Sequence, residues 1–203
     1  MGRPPGQLGE DTRKAILVAA REAFAKLGFE RATNAEIAAA AGVTAAAMYR
    51  HYASKLDLYG AAVRDASAVL LPTLRTAVAD QESVRAAFRA MLGAMRSFDD
   101  TQLSAARFLS ELPVEMQRHP RISKQVLEEP GEIFALYTKL VESGVRTREI
   151  SADKAPRAVS VLIATFMGVA AYTRTLGPVF GEQAIMGFID LVDGQLFRAL
   201  GEH

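Results

Sequence analysis

The apolar residues of this chain recur at the spacing of α-helices. Near the start, Ile16, Ala20, Phe24 and Leu27 are separated by four, four and three residues, which places them on one helical face. No sustained apolar–polar alternation bounded by Asn-Gly or Asp-Gly turns indicates a strand. We therefore predict an all-α fold.

The same periodicity, with glycine, proline and capping residues as boundaries, predicts the individual helices. They are expected at 12–27, from 33, at 45–51, from 54 to about 71, and at 82–98, 101–112, 132–143, 153–176 and 181–200. Pro72 is expected to kink the fourth helix, and the stretch from Pro113 through Pro120 to Pro130 to interrupt the middle of the chain. Gly144 is expected to end one helix, and Asp153 to cap the next.

Helix-start signals are concentrated between residues 33 and 57. Thr33 precedes Glu36 by three residues, and Ser54 precedes Asp57 by three. Both pairs have the spacing of a capping box, in which each residue satisfies an unpaired backbone amide of the other. We predict that a helix begins after Thr33 and another after Ser54.

A tight turn is predicted between these two starts. Gly42 follows an alanine-rich run, where a left-handed residue ends a helix. Thr44 lies where a new N-cap is needed. Two short helices joined by such a turn form a helix-turn-helix unit, whose second helix enters the major groove of DNA.

Residues 37–59, IAAAAGVTAAAMYRHYASKLDLY, resemble the DNA-binding signature of the TetR family of bacterial transcriptional regulators. The matching elements are Ile37-Ala38, Ala41-Gly42-Val43-Thr44, Met48-Tyr49, His51-Tyr52, Ser54-Lys55 and Leu58. The similarity extends upstream through the helix at 12–27 to Gly28-Phe29. The chain departs from the family at Ala46, where the family often has glycine. The fit of this helix against DNA could therefore differ from that of other family members.

Phosphate contacts are expected from two sources. Thr33, Asn34 and Lys55 lie at helix starts, where exposed amides and the positive dipole end favour an anion. The family resemblance adds the ring-bearing side chains of Tyr49 and His51. Two alternatives stay open: Thr33 as a purely structural cap, and His51 as an ordinary exposed histidine.

Base-edge contacts are expected from the helix at 45–51. Its first turn, Thr44-Ala45-Ala46-Ala47, offers one hydroxyl and three methyl groups, without a side chain for bidentate base recognition. Discrimination would then come from Thr44, Tyr49, Arg50 and methyl contacts with thymine, with moderate specificity per half-site.

The predicted DNA-binding unit, residues 1–65, is called the head. It also includes an N-terminal arm and a small hydrophobic core. Arg3, Arg13 or Lys14 would reach the minor groove or backbone, unless Arg3 belongs to a tail without contacts. Tyr52 is expected in the core, together with Ile37, Ala41, Val43 and Met48.

Resemblance over the remaining two-thirds is architectural and implies a helical regulatory domain that dimerises through its last two long helices. The helix at 153–176 is apolar on almost every side, so a partner must cover the face that the monomer leaves exposed. The predicted interface comprises Val161, Gly168, Tyr172, Ile185, Phe188, Ile189, Val192 and Leu196, with Gly187 and Gly194 permitting close approach. The alternative is that both helices pack inside a monomer.

The resemblance also implies a ligand cavity between helices. The candidate lining residues are aromatic or methionine: Phe88, Met91, Met95, Phe108, Met116, Phe134, Tyr137, Phe166 and Met167. Possible polar contacts are Gln102, Ser104, Tyr137, Thr165 and Tyr172. Each of these residues could instead be ordinary core, and the identity of the ligand cannot be read from the sequence.

Composition limits the alternatives. The 203 residues suffice for one large or two small domains, and we predict a boundary near residue 65, giving 1–65 and 66–203 joined by a continuous helix. The absence of cysteine excludes disulfides and thiolate metal sites. No signal peptide is recognised at the start, and the apolar stretch 159–172 is too short to span a bilayer. We expect a soluble cytoplasmic protein.

Charge argues for local rather than long-range attraction to DNA. The net charge is +1, and residues 1–65 carry nine Lys and Arg against seven Asp and Glu, or +2. Binding would therefore depend on donors placed individually against phosphates.

We predict a homodimeric regulator without cofactor or metal, a repressor released from a palindromic DNA operator by a small, largely apolar effector. The alternatives are a helical interaction module that does not bind DNA, and an enzyme. The three histidines, His51, His119 and His203, are widely separated. The chain contains neither a phosphate loop nor a nucleophile elbow, which disfavours the enzyme.

Overall fold

The computed structural model describes residues 5–128 and 131–197, with side chains described from residue 9 onward. The predictions for Arg3, Pro130, Leu200 and His203 lie outside these residues. The helices are α1 (Pro5–Arg31), α2 (Asn34–Ala40), α3 (Ala45–His51), α4 (Lys55–Val78), α5 (Val84–Ala94), α6 (Asp100–Arg118), α7 (Pro120–Glu128), α8 (Glu132–Arg146), α9 (Ala155–Leu176) and α10 (Pro178–Val192). Two single 3₁₀ turns, Met95–Ser97 and Ala152–Lys154, accompany them. Over the described ranges there is no strand, which confirms the all-α prediction.

Helix α1 is interrupted where the sequence predicts its end. Gly28 has φ 78° and ψ 169°, a conformation that glycine adopts readily. The chain folds back there, so that the Phe29 ring lies 6.0 Å from that of Phe24. At its other end the helix begins at Pro5, earlier than predicted.

The core is built on α1, α4 and α6, which pack against one another. Phe24, Tyr59 and Phe108, one from each helix, form an aromatic cluster with ring centroids 4.9 Å apart for Phe24–Tyr59 and 5.4 Å for Tyr59–Phe108. Helix α4 passes through residue 65 without a break. The proposed boundary there stays a prediction.

Two helices continue past prolines, beyond the ends predicted for them near Leu71 and Leu112, while the kink expected at Pro72 stays a prediction. Helix α4 continues past Pro72 to Val78, and α6 continues past Pro113 to Arg118. An internal proline removes one helical hydrogen bond and costs about 3 kcal/mol. Both prolines are on the exposed side, while neighbours such as Leu74 and Leu112 are buried and hold each helix in place.

Gly144 does not end α8, which continues to Arg146. The glycine is buried, and a Cβ atom added there would lie 2.5 Å from Val84 Cγ2. It permits α8 to pack closely on α5. Asp153 is also not the cap of α9, because it lies within the 3₁₀ turn and Lys154 occupies the cap position without a side-chain hydrogen bond.

Helix α7 was not predicted. It is only 9 residues long, and Pro120 occupies its first position. Ile122 is its single buried residue. Val126, four residues later, packs against the same core, so helical spacing is present in the sequence, and the helix packs on α4 and α6.

The last helix is shorter than predicted. Gly177, with φ 96°, separates α9 from α10 as expected, but α10 ends at Val192. Gly194 has φ 71°, and the Gln195 amide donates to the Asp190 carbonyl at 2.7 Å, closing the helix end. Gly194 therefore terminates a helix, and Leu196 lies beyond it.

By length and composition, the stretch Ala152–Leu176 is long and apolar enough to cross a bilayer, contrary to the prediction from residues 159–172. Core helices of soluble proteins meet the same criterion. In this fold α9 packs against α6, α8 and α10.

Candidate nucleic-acid interface and ligand cavity

The start of α2 is fixed by the predicted capping box. The Glu36 amide donates to Thr33 Oγ1 at 3.2 Å, and the Thr33 amide donates to Glu36 Oε2 at 3.0 Å. Hydrogen bonds from the Thr33 side chain and backbone lower the pKa of the Glu36 carboxyl. The prediction for this cap is confirmed.

The turn between α2 and α3 also has the predicted construction. Gly42 adopts φ 69°, and the Val43 amide donates to the Ala38 carbonyl at 2.9 Å. Thr44 Oγ1 accepts from the Ala47 amide at 3.1 Å and so caps α3. These local bonds set α3 across α2 as a helix-turn-helix unit.

Ser54 caps α4, but only half of the second predicted capping box forms. Its hydroxyl accepts from the Asp57 amide at 3.0 Å. The Asp57 carboxylate then accepts from the Ser54 hydroxyl at 2.7 Å instead of from the backbone. Aspartate is one methylene shorter than the glutamate of a full capping box, so its carboxylate bonds to the Ser54 hydroxyl and not to the Ser54 backbone amide.

Helix α3 presents a surface of small side chains. Thr44, Ala45 and Ala46 are exposed, whereas Ala47 is half-buried. Further along the helix, Tyr49, Arg50 and His51 are exposed. The predicted base-reading residues thus lie at the surface, with Ala47 the least accessible.

The inner side of the head carries the predicted core residues. Ile37, Met48 and Tyr52 are buried, at 0%, 1% and 7% exposure. Ala41 and Val43 are half-buried and pack against the same core. The core prediction for the head is confirmed.

Asn34 and Tyr49 meet at the exposed side of the head. Asn34 Nδ2 donates to the Tyr49 hydroxyl oxygen at 3.0 Å, linking α2 to α3. The tyrosine oxygen accepts in this bond, so its own O–H is available to donate. Two predicted phosphate-contacting residues are therefore brought together.

Lys55 is tied to α1. Its ammonium donates to the Glu30 carbonyl at 2.9 Å and lies 4.8 Å from the centre of the Phe29 ring. An ammonium has three donors, so further contacts are possible. Arg13, expected in the arm, lies on α1, where its Nε donates to the Tyr52 hydroxyl at 3.4 Å.

A buried ion pair joins α1 to α4. Arg21 on α1, only 2% exposed, pairs with Asp65 on α4. The pair fixes the head against the long helix. Their separation in sequence is 44 residues, so no local pattern indicates the contact.

A cavity of about 550 Å³ lies between α4, α6, α7, α8 and α9. Six of the candidate residues line it: Met95, Met116, Phe134, Tyr137, Phe166 and Met167. The other three do not line it. Met91 and Phe108 are buried in the core at 0% and 1% exposure, and the Phe88 ring lies 6.4 Å from that of Phe166.

The polar candidates for the cavity are mostly wrong. Tyr137 lines it, but Gln102 bonds to the cap of α6 and to Thr73. The remaining candidates, Ser104, Thr165 and Tyr172, do not line it. The hydroxyls that do are Ser67 and Ser110. The sequence does carry a signal for Ser67. It lies four residues after Val63 and seven before Leu74, so helical spacing places all three on the same face of α4.

Helix α9 has two different apolar faces. Leu162, Thr165 and Val169 are buried, whereas a stripe comprising Val161, Ala164, Gly168 and Tyr172 is exposed. We call these four residues the outer stripe. An exposed apolar stripe of this length is typical of a protein–protein contact.

Of the predicted interface stripe on α10, Ile185 is turned into the protein interior, and the rest of the stripe stays a prediction. Ile185 is buried inside the protein with Leu92, Met95 and Val169. Phe188 and Ile189 pack against the same cluster, and Val192 is half-buried. The exposed large apolar residues of α10 are instead Val179, Phe180, Met186 and Leu191. Periodicity shows which residues share a face, but not which neighbour covers that face.

The head sequence matches a known family. The sequence model described as "Bacterial regulatory proteins, tetR family" matches residues 16–62. The HTH-type transcriptional repressor BepR of Brucella suis is 47% identical over 49 residues, or 24% of this chain and 23% of that protein. The alignment with BepR thus spans less than a quarter of that relative.

Similarity also extends along most of the chain. The HTH-type transcriptional repressor Rv1474c of Mycobacterium tuberculosis is 27% identical, over 74% of this chain and 88% of that protein. The crystal structure of a TetR-family transcriptional regulator from Rhodococcus sp. superposes with a TM-score of 0.73 and 19% identity. It covers 90% of this chain and 98% of that one, and it shows a shared fold.

Proposed function

The chain belongs to the TetR family of bacterial regulatory proteins, and from this premise we propose that it is a homodimeric repressor released from a palindromic operator by a small, largely apolar molecule. It is a transcriptional regulator and not an enzyme. The observation that carries the proposal is the exposed, methyl-rich α3, capped and oriented by the bonds of Thr44 and Gly42. We place its action in the cytoplasm, where operator DNA is found.

Residues 1–65 form the proposed DNA-binding unit, and 66–203 the regulatory and dimerisation unit. In the first, Thr44, Ala45 and Ala46 face base edges, and their methyl groups suit thymine. Arg50 and, to a lesser extent, Ala47 complete this surface.

Phosphate contacts are assigned to Thr33, Asn34, Tyr49, His51 and Lys55. The Tyr49 hydroxyl supports this assignment, because its oxygen is held by Asn34 while its proton is available for donation. Two half-sites would supply the specificity that one small reading surface lacks.

Dimerisation is assigned to the outer stripe of α9 and the exposed apolar residues of α10. Small residues, Ala164 and Gly168, lie at the centre of the stripe, so a symmetry-related α9 could approach closely. Two copies of these helices would form a four-helix interface about a two-fold axis. The two α3 helices would then reach successive major grooves, about 34–36 Å apart.

Helix α6 provides a physical connection between the cavity and the head. Leu112 and Met116 line the cavity. On the same helix Glu115 is buried close to Gly28. The ring of His119, the residue that follows the end of α6, lies 5.1 Å from that of Phe29. A molecule that binds more tightly to one of two positions of α6 would shift the equilibrium between two orientations of the head. The size of that shift is limited by the difference in its affinity for the two states.

Binding of the purified chain to its own upstream DNA, measured as salt is raised, tests the proposal. We expect tight binding in dilute buffer, with an affinity that falls steeply with salt because each phosphate contact releases counterions. Affinity indifferent to salt, or no binding in dilute buffer, would contradict the proposal and favour a helical interaction module.

A further inference from the structure

We propose that the cavity between α4 and α9 selects an uncharged, mainly hydrocarbon molecule carrying one oxygen acceptor, and that the Tyr137 hydroxyl donates a hydrogen bond to this oxygen. The inference rests on the proposed role of the cavity as the effector site. It adds the chemical class of the effector and the residue that selects it.

The walls of the cavity are neutral. Within the part of the chain that the structure describes, no residue lining it carries a charge. Most are aliphatic or aromatic, and Met95, Met116 and Met167 add polarisable sulfur. A carboxylate or phosphate placed among them would lose its hydration without gaining a partner, which is strongly unfavourable.

Three hydroxyl groups are the polar side chains of this wall. Two of them already use their protons: Ser67 donates to the Val63 carbonyl at 2.9 Å, and Ser110 donates to the Arg107 carbonyl at 2.7 Å. Their oxygens can accept a bond but have no proton left to give. In this arrangement Tyr137 is the hydroxyl of the wall whose proton is not used within the protein.

Tyr137 differs from both serines. Its side chain lines the cavity and is 4% exposed, yet its hydroxyl has no hydrogen-bond partner among the described residues. The ring is fixed by packing on Phe166, with centroids 5.6 Å apart. Unlike the Tyr59 oxygen, which is sealed in the core without a partner, the Tyr137 oxygen is open to the cavity, so it is free to donate to a ligand acceptor.

The hydroxyl stays protonated at neutral pH. Burial raises the pKa of Tyr137, with no nearby charge contributing. The group therefore acts as a donor and favours a ketone, ester or ether oxygen. The volume of about 550 Å³ lies within the range of small-molecule sites, and the rings of Phe98, Phe134 and Phe166 favour a flat, apolar body.

Three naphthalenes of similar shape test the inference: 2-acetylnaphthalene, 2-ethylnaphthalene and 2-naphthoate. The chain has no tryptophan, so binding can be followed by naphthalene fluorescence and checked by calorimetry. We expect the ketone to bind about tenfold more tightly than the ethyl compound, since only the ketone satisfies the hydroxyl. The carboxylate should bind at least tenfold more weakly than the ketone at pH 7.5.

The Tyr137→Phe variant removes the hydroxyl and keeps the ring. The preference for the ketone over the ethyl compound should disappear, while affinity for the ethyl compound should be kept or improved. Tyr59→Phe is the matched control, because Tyr59 is also buried with an unpartnered hydroxyl but does not line the cavity. Thermal melting of both variants establishes that they are folded, and Tyr59→Phe should keep the preference.

Three outcomes would overturn the inference: no binding of the ketone at millimolar concentration, equal binding of the carboxylate, or an unchanged preference in Tyr137→Phe. Binding to upstream DNA is measured separately on the same samples. If DNA binding fails while the ketone preference holds, the proposed function is wrong and the cavity chemistry stands. If DNA binding holds while the preference is absent, the inference alone is wrong.

Discussion

Ala45 and Ala46 give the proposed base-reading surface of α3 its character, because they present methyl groups where amide or guanidinium groups would make bidentate base contacts. Neighbouring residues position this surface: Thr44 caps the helix, and Asn34 holds Tyr49. At the scale of single residues, the proposed base recognition belongs mainly to the methyl groups of Ala45 and Ala46, whereas Tyr49, expected above to contribute to both roles, is assigned to phosphate through its available O–H.

Tyr49→Phe and Ala45→Gln separate these two roles. Tyr49→Phe should weaken binding to all duplexes by a similar factor, because it removes a phosphate donor. Ala45→Gln should change which base is preferred at one position of each half-site, by about 1–3 kcal/mol. Competition binding against duplexes with single base changes measures both. The reverse pattern would reject the assignment.

The Glu36 cap predicts a pH dependence of stability. A carboxyl whose pKa is lowered by folding stabilises the folded state above its unfolded pKa, and that contribution is lost as pH falls through the folded pKa. The unperturbed value is 4.5, and hydrogen bonds from Thr33 lower it in the fold. The wild type should thus be more stable than Glu36→Ala at pH 7, with the difference shrinking below pH 4.5.

Chemical denaturation across this pH range checks the prediction. Glu36→Gln is the control, because its amide oxygen can accept the same bonds without titrating in this range. A stability difference between wild type and Glu36→Ala that is the same at low and neutral pH would contradict the assigned cause.

Helix ends in the head could be predicted from the sequence, whereas helix interiors elsewhere could not. Thr33, Gly42 and Thr44 act through bonds to residues within five positions, so their effect is visible locally. Helix ends were predicted near Pro72, near Pro113 and at Gly144, but the helices continue past all three. Tertiary packing outweighs the local preference of these residues. At the scale of elements, burial decides where the long helices continue.

Gly144→Ala tests this account of helix packing. The added Cβ would lie 2.5 Å from Val84 Cγ2, and valine is stiff at χ1, so we expect a loss of about 1–3 kcal/mol in unfolding free energy. Gly93, within α5, has no atom within 4 Å of an added Cβ. Gly93→Ala should therefore stabilise by about 0.5–1 kcal/mol. Denaturant melts in which Gly144→Ala is as stable as the wild type would show that α5 and α8 are not closely packed.

The whole molecule combines a head, the connecting helix α4, a cavity lined by residues of its own chain, and an outer stripe on α9 that its own chain does not cover. Six of the nine residues predicted for the cavity line it, because aromatic and methionine side chains cluster on inward faces. Ile185 could not be assigned, since an apolar stripe shows that a face is covered but not whether its own chain or a partner covers it. The outer stripe of α9 is the face that the chain leaves uncovered.

Gly168→Glu tests the dimer at this scale. Two carboxylates brought together at the two-fold axis should dissociate the dimer and lower DNA affinity by at least tenfold, because one head alone makes half of the contacts. Sedimentation velocity measures the mass, and the same charge at exposed Thr76 on α4 serves as the control. A Gly168→Glu protein that remains a dimer would place the interface elsewhere.

Selection of binding sites from random duplexes, combined with the mass of the complex formed, tests the central claim most directly. We predict an inverted repeat with half-site centres about 10–10.5 base pairs apart, bound by an even number of chains. Recovery of no common motif, or of a single half-site bound by one chain, would contradict the account.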